Sequence, residues 1–484
     1  MNWIILVEVF YVFAILGACL RIINDTPNTS KTLSYLLLTL FLPVIGMIIY
    51  FSVGTNYRKR KLYTKKLIKD EKLLQELTNR IFQTSELVMA QQKEEVGNFM
   101  KLAKLLLNGS LSKLSTHNQV ELLLNGEQKF PEVISAMRAA KHHIHLEYYI
   151  YENDVIGNQI KDVMIEKARE GVEVRFIYDD FGSRSIRKTV VPELIKAGVN
   201  CVPFYKVIFL ALANRINYRN HRKIIVIDGY IAFTGGINVS DKYINDKNNP
   251  QQQFWRDTHI KLTGEAVSYL QYLFINDWNF CSDEEFLPDK VYFNMPAPGE
   301  EVGAVVQVAS SGPDSDNPTI LYALLDAIGL AEKEILITTP YFIPGESLTH
   351  ELIVAALSGI KVKILVPDRS DSVVVDAAAR SYYGQLVKAG VEIYLYKDGF
   401  IHAKTLVSDS QLAIVGTANM DHRSFDLNFE VNTIIYDANF ATQLRDVFYD
   451  DLTHAVKIDP ISWHQRPMHK QFFEKVARLL SHLL

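Results

Sequence analysis

The strongest constraint on this 484-residue chain is a pattern that occurs twice. His-x-Lys-x4-Asp appears as His221, Lys223 and Asp228, and again as His402, Lys404 and Asp409. Each residue of the second copy lies 181 positions after its counterpart, and the same offset relates Gly235 to Gly416 and Asn238 to Asn419. A single copy would say little, because His, Lys and Asp are common at strand ends and turns. Two copies in phase through five residue types mark an internal duplication and require a fold with two equivalent halves.

Locally, Lys223 to Ile227 is a β-branched run that ends in Asp228-Gly229 and resumes as Tyr230-Ile231-Ala232-Phe233, the signature of a hairpin with a tight turn. Side chains alternate along a strand, so His221 and Lys223 share a face and Asp228 falls at opposite parity. The His and Lys of each copy can meet one ligand, whereas Asp228 and Asp409, though part of the motif, read chiefly as structural.

Around these hairpins the text alternates helix and strand. In the first half, helical Pro131–Lys141 precedes strand-like Ile144–Tyr151, and helical Gln159–Glu170 precedes Val172–Tyr178 and then Val199–Tyr205. The second half repeats the order with Ile320–Glu332, Glu334–Thr339, Leu352–Ser358, Ile360–Val366 and Val391–Tyr396. The fold class is therefore α/β: duplicated halves with mixed sheets, meeting at a pseudo-two-fold site. The halves are expected at 128–290 and 319–484, joined by a linker at 291–318 rich in Pro and Gly.

Ahead of the halves lie two apolar stretches, Trp3–Leu20 and Tyr35–Val53, each near the length needed to cross a bilayer. They predict a transmembrane helical hairpin over 1–55. A basic juxtamembrane segment and helical connector follow at 56–127, with an amphipathic helix from Asp70 to about Glu95. The formal charge of −4 hides the run Arg58, Lys59, Arg60, Lys61, Lys65, Lys66 and Lys69, which contains no acid. Basicity is thus local: it predicts contact with anionic lipid and places both termini and the body on the cytoplasmic side, while the acidic remainder argues against a nucleic-acid partner. The three cysteines have neither disulfide nor zinc spacing.

Two histidines from equivalent halves suit transfer at phosphorus. One neutral imidazole attacks while the other, protonated, donates to the leaving oxygen. Lys223 and Lys404 can neutralise the non-bridging oxygens, and Asn238 and Asn419 can donate to them. Each imidazole needs an orienting partner, for which Asp257 and Glu430 are candidates. The scheme calls for no metal and no organic cofactor.

The repeat resembles the phospholipase D superfamily, which is defined by His-x-Lys-x4-Asp followed by Gly-x-x-Asn. More narrowly, the chain resembles the bacterial cardiolipin synthases through Leu42-Pro43-Val44-Ile45-Gly46, Ile216-Asn217-Tyr218-Arg219, Trp255-Arg256-Asp257-Thr258, Ser311-Gly312-Pro313-Asp314, Thr339-Pro340-Tyr341-Phe342-Ile343-Pro344 and Gly416-Thr417-Ala418-Asn419-Met420-Asp421. That resemblance implies an enzyme of the bacterial cytoplasmic membrane. It would move a phosphatidyl group between two phosphatidylglycerol molecules through a phosphohistidine, giving cardiolipin and glycerol, with His221 as nucleophile and His402 as general acid and then base. The nearest alternative keeps the fold and changes the co-substrate to water, another alcohol or phosphatidylethanolamine. A non-catalytic lipid-binding scaffold would be expected to carry a damaged motif.

Three further stretches carry expectations. Val207–Ala213, before Arg215, Arg219 and Arg222, reads either as a loop that admits acyl chains and headgroup phosphates or as a buried helix. The tail Lys470–Leu484 places Phe472, Phe473, Val476, Leu479, Leu480 and Leu483 on one face, expected to pack on the catalytic body, with the membrane interface as the alternative. Asp179-Asp180 reads as a turn or helix cap.

Overall fold

The structure, a computed structural model, describes residues 3–25, 29–51, 71–205, 218–246, 252–282, 284, 286–293, 303–479 and 481. The first half carries strands β1 (Ser115–Leu124), β2 (His143–Tyr148), β3 (Glu173–Asp179), β4 (Asn200–Phe204), β5 (Lys223–Ile227), β6 (Ile231–Gly235), β7 (Trp255–Arg256) and β8 (Thr258–Thr263). The second carries β9 (Ala304–Ser311), β10 (Glu334–Thr338), β11 (Phe342–Ile343), β12 (Lys361–Pro367), β13 (Glu392–Tyr396), β14 (Phe400–Ile401), β15 (Thr405–Ser408), β16 (Leu412–Gly416), β17 (Met420–Asp421), β18 (Glu430–Tyr436) and β19 (Ala455–Lys457).

The strands of the main sheet read outward from its middle in the same way on both sides: β1-β8-β6-β5-β2-β3-β4 in one half and β9-β18-β16-β15-β10-β12-β13 in the other, with β19 at the far edge. Within each half the inner pairings are antiparallel and the next ones outward parallel, with the edge pair β13–β19 antiparallel again, so the sheets are mixed as the alternation predicts. The pseudo-two-fold passes between β1 and β9, which pair with each other. One apolar core draws on both halves at once, with Ile224, Val226 and Ile260 beside Val407, Val415 and Val431.

The central pair was hidden in stretches read as connector and linker. β1 lies within 56–127 and β9 within 291–318. In β9 the polar Gln307 interrupts a Val run, but it is buried and satisfied. Its amide donates to the carbonyls of Ala103 and Ser112, and its oxygen accepts from Tyr436.

The N-terminal region departs from the expected hairpin of two spans. Among the described residues, helix α1 (Trp3–Asp25) alone is both long and apolar enough to cross a membrane. The second stretch is two helices, α2 (Thr29–Phe41) and α3 (Pro43–Ile49), broken at Leu42. Proline disfavours helical backbone at the preceding residue and favours the first helical position, which fits Leu42 at φ −133° and Pro43 opening α3. The chain doubles back there. A Cβ on Gly46 would lie 2.5 Å from the Thr39 Cα, and Tyr50 returns to Tyr35 (ring centroids 5.6 Å) and donates to Asp25 at 3.4 Å. The tip residues Phe41 and Leu42 are exposed. The basic run 58–69, the stretch 207–213 with Arg215, and Val53 lie outside the described residues.

The expected connector helix is present at Glu71–Gln91, and Val88 and Met89 pack into the second half's core. The tail helix, Met468–Leu479, packs on the body as expected, but with Ala477 and Glu474 facing inward, while Phe472, Phe473, Val476 and Leu479 are exposed. Its attachment is polar, through an Arg466–Glu474 ion pair at 2.6 Å and Arg478 over the Tyr382 ring at 4.4 Å.

Candidate active site

Each motif histidine immediately precedes or lies near a hairpin strand and is pinned by main chain from the opposite half. His221 N donates to Phe429 O (3.0 Å), and Phe429 N to Arg219 O (2.9 Å). Likewise β14 runs parallel to β7, and His402 N donates to Arg256 O (2.7 Å). Glu430 and Asp257, which directly follow those partner segments, are thereby set against the rings. His221 Nδ1 lies 2.9 Å from Glu430 Oε2, and His402 Nδ1 lies 2.7 Å from Asp257 Oδ2. The two expected orienting acids are therefore exchanged between halves. A carboxylate only accepts, so each Nδ1 carries the proton and each Nε2 presents a lone pair.

The hairpin turns hold the motif aspartates well away from this chemistry. Asp228 (φ 52°) accepts from the main-chain N–H groups of Lys141, His142 and His143 at 2.8, 2.8 and 2.9 Å. Asp409 (φ 55°) does the same for Glu332, Lys333 and Glu334 at 2.7, 2.8 and 2.7 Å. Both tie the turn to the start of the neighbouring strand, β2 or β10. Asp179 likewise serves a turn, accepting from Phe181 N and Gly182 N.

Gly236 clears space for Asp257, and Gly235 for the main chain at Thr258 and His259. Gly235 has φ +143°, and a Cβ on Gly236 would collide with the Asp257 carboxylate. Three residues on, Asn238 donates to Tyr243 Oη at 2.8 Å, and its main-chain carbonyl, with that of Ile237, accepts from the buried Lys129 ammonium. Asn419 is held through its N–H to Ser424 Oγ (3.1 Å), and among the described residues its side-chain oxygen has no hydrogen-bond partner.

His221, His402, Asn238 and Asn419 line one cavity of about 340 Å³, together with Tyr149, Lys242, Tyr243, Trp255, Tyr341, Arg219 and Arg423. Lys242 and Arg423 were missed in the sequence, although they too are 181 positions apart. Extending the repeat offset beyond the motif would have found them.

Lys223 Nζ donates to His221 O at 2.9 Å, and Lys404 Nζ lies 3.0 and 3.1 Å from the two ring nitrogens of His402. Burial pushes Lys223 down to about 7 and Lys404 to about 8, against the attraction of Glu430 and Asp257. Burial also lowers both histidines: His221 to about 4, and His402 well below its ordinary value, with the lysine ammoniums adding to the effect. The two acids differ. Burial raises Asp257 to about 6, whereas at Glu430 the same burial is outweighed by His221, Lys223 and the Thr417 hydroxyl, which hold it below the ordinary carboxylate range. Without a ligand, the site is a buried cluster of cations that an anion would stabilise.

A family model described as "Cardiolipin synthase, PLD-like domain" matches residues 133–278 and 324–452, and one described as "Phospholipase_D-nuclease N-terminal" matches 9–54. The chain is 41% identical over 475 residues to cardiolipin synthase 2 of Bacillus cereus, covering 98% of this chain and 91% of that one. It is 40% identical to the major cardiolipin synthase ClsA of Bacillus subtilis, over 99% of both. The chain belongs to the cardiolipin synthase family of phospholipase D-like enzymes. As a member of that family it is a phosphatidyltransferase of phospholipids. Phosphatidylserine synthase of Haemophilus influenzae shares the fold, with a TM-score of 0.60 over 79% of this chain and all of that one at 17% identity.

Proposed function

We propose that this chain joins two phosphatidylglycerol molecules into cardiolipin and releases glycerol. The observation that carries the reading is the pair of imidazoles in one cavity, each with Nδ1 on a carboxylate of the opposite half. His221 Nε2 attacks phosphorus: a P–N bond forms and the P–O bond to the terminal glycerol breaks, while His402, which takes up a proton at Nε2 as the anionic substrate binds, gives that proton to the leaving oxygen. The terminal hydroxyl of a second phosphatidylglycerol then attacks. His402 takes its proton, a P–O bond forms and the P–N bond breaks, freeing His221. Lys223 and Lys404 offset the charge on the non-bridging oxygens as it builds. Assigning attack to His221 is supported by Glu430, the carboxylate that stays ionised, standing behind the ring that becomes cationic when phosphorylated.

The membrane reading follows from α1 and the fold-back. In this proposal α1 crosses the cytoplasmic membrane while α2 and α3 dip into one leaflet and return. The body and the basic run 58–69 then lie on the cytoplasmic side and the N-terminus on the other, which replaces the expectation of two spans with both termini inside. The exposed face of Phe472, Phe473, Val476 and Leu479 suits the same lipid surface.

Reconstitution in phosphatidylglycerol vesicles tests the reaction. Cardiolipin and glycerol are expected in equal amounts, with a loss of about 10³-fold or more in His221→Ala and in His402→Ala, as expected for groups that act directly at the reacting centre. Phosphatidic acid as the main product would instead make water the acceptor.

A further inference from the structure

Arg219 is 4% exposed and lines the catalytic cavity. Among the described residues, neither Nη1 nor Nη2 has a hydrogen-bond partner. The nearby acids Asp179 and Asp180 attract the guanidinium without a hydrogen bond to it, and the Asp179 oxygens accept main-chain N–H groups of Phe181 (3.0 Å), Gly182 (2.9 Å) and Asn220 (3.2 Å). The guanidinium instead lies over the Phe181 ring at 4.6 Å, with Arg423 close enough to repel it electrostatically. Two arginines directed at one cavity, one of them buried with its terminal nitrogens unpaired, form a cradle for an anion with several oxygens.

The cradle sits on one flank only. Arg219 lies two residues before His221, and the matching position before His402 is Phe400, whose ring centroid is 6.0 Å from that of His402. Everything proposed to serve the reacting phosphorus is paired across the pseudo-two-fold: the imidazoles, the lysines and the asparagines. The surplus cation breaks that symmetry, and so does the reaction, in which two phosphodiesters are present and only one is attacked.

We infer that Arg219, assisted by Arg423, forms a second phosphodiester subsite on the His221 flank, which holds the phosphate that the acceptor lipid already carries. This rests on the proposed cardiolipin-forming reaction. A three-carbon glycerol bridge separates the two phosphates of the product, so a subsite bordering the reacting centre is where that second charge must sit. Arg219 would thereby select an anionic glycerophospholipid over water or a neutral alcohol as acceptor.

The test compares two transfers by one protein in phosphatidylglycerol vesicles: formation of cardiolipin, which engages two phosphates, and exchange of labelled free glycerol into phosphatidylglycerol, which engages one. Arg219→Gln is expected to lower the ratio of cardiolipin formation to exchange at least tenfold. Equal losses in both would assign Arg219 to the reacting phosphate, and no loss in either would assign it no phosphate; both leave the ratio unmoved and overturn the subsite. If Arg219→Gln does not fold, the ratio is read on Arg219→Lys, whose ammonium cannot grip two oxygens at once, with a fall of about threefold expected and no fall overturning the proposal. A wild-type chain that makes no cardiolipin overturns the reading of function and the subsite with it. A wild type that makes cardiolipin beside an unmoved ratio overturns the subsite alone.

Discussion

The two motif lysines are buried cations in a site built for an anion, and this has consequences in opposite directions. Lys223 at about 7 and Lys404 at about 8 lose their protons in the substrate-free protein as pH rises through that range. Because kcat/KM reports groups of the free enzyme, it is expected to fall along an alkaline limb that begins between pH 7 and 8. A bound phosphodiester favours the ammonium form, so the limb in kcat should lie at higher pH. A kcat/KM that stays flat to pH 9.5 would sink this account. For stability the sign is reversed. The folded pKa of Lys223 lies below its ordinary 10.5, so between about 7 and 10.5 the unfolded chain binds more protons and the empty protein becomes more stable as pH rises. Lys223→Met should therefore unfold no lower than wild type at pH 7, while activity falls by about 10²-fold or more. Thermal unfolding beside the vesicle assay reads both.

At the scale of elements, the legible parts of the fold were those whose local chemistry and tertiary role agree. The Asp228-Gly229 turn, the helices and strands on either side of it, and the alternation in both halves follow from period and turn residues. β1 and β9 were not legible because their identity depends on each other: Gln307 reads as an interruption until Ala103, Ser112 and Tyr436 surround it. The exchange of Glu430 and Asp257 between halves was hidden for the same reason, since each is nearer in sequence to the wrong histidine's hairpin. The broken second span was half legible. Pro43 and Gly46 are visible in the sequence, but Gly46 meeting Thr39 is a tertiary fact. A thirteen-residue α2 rises only about 20 Å against about 35 Å for α1, too little to cross and enough to dip. Single cysteines in a Cys19→Ser, Cys201→Ser, Cys281→Ser background test it. Asn2→Cys should react with an impermeant maleimide in intact cells and Asn24→Cys only after the membrane is opened. Labelling of Asn24→Cys in intact cells would restore two full spans.

The two halves are expected to unfold as one cooperative unit, because they share the central sheet and one of the cores that stabilise them. β18 pairs with β9 from Glu430 opposite Ser311 to Tyr436 opposite Val305, β9 pairs with β1, and β1 pairs with β8, so the sheet has no free edge at the seam. The core beneath it is drawn from both halves, and neither histidine has its carboxylate without the other half in place. Charge is shared across the seam as well: Arg256 of the first half donates to Asp451 of the second at 2.8 Å, with both side chains buried. Removing one partner of such a pair leaves an uncompensated buried charge, which costs about 3–5 kcal/mol. If the halves were independent, Asp451→Asn would destabilise only the second. Because they are not, calorimetry of the detergent-solubilised protein should show one transition of the catalytic body, moved down by several degrees as a whole in the variant. Two endotherms, with only one of them shifted, would mean that the seam joins two bodies that unfold separately.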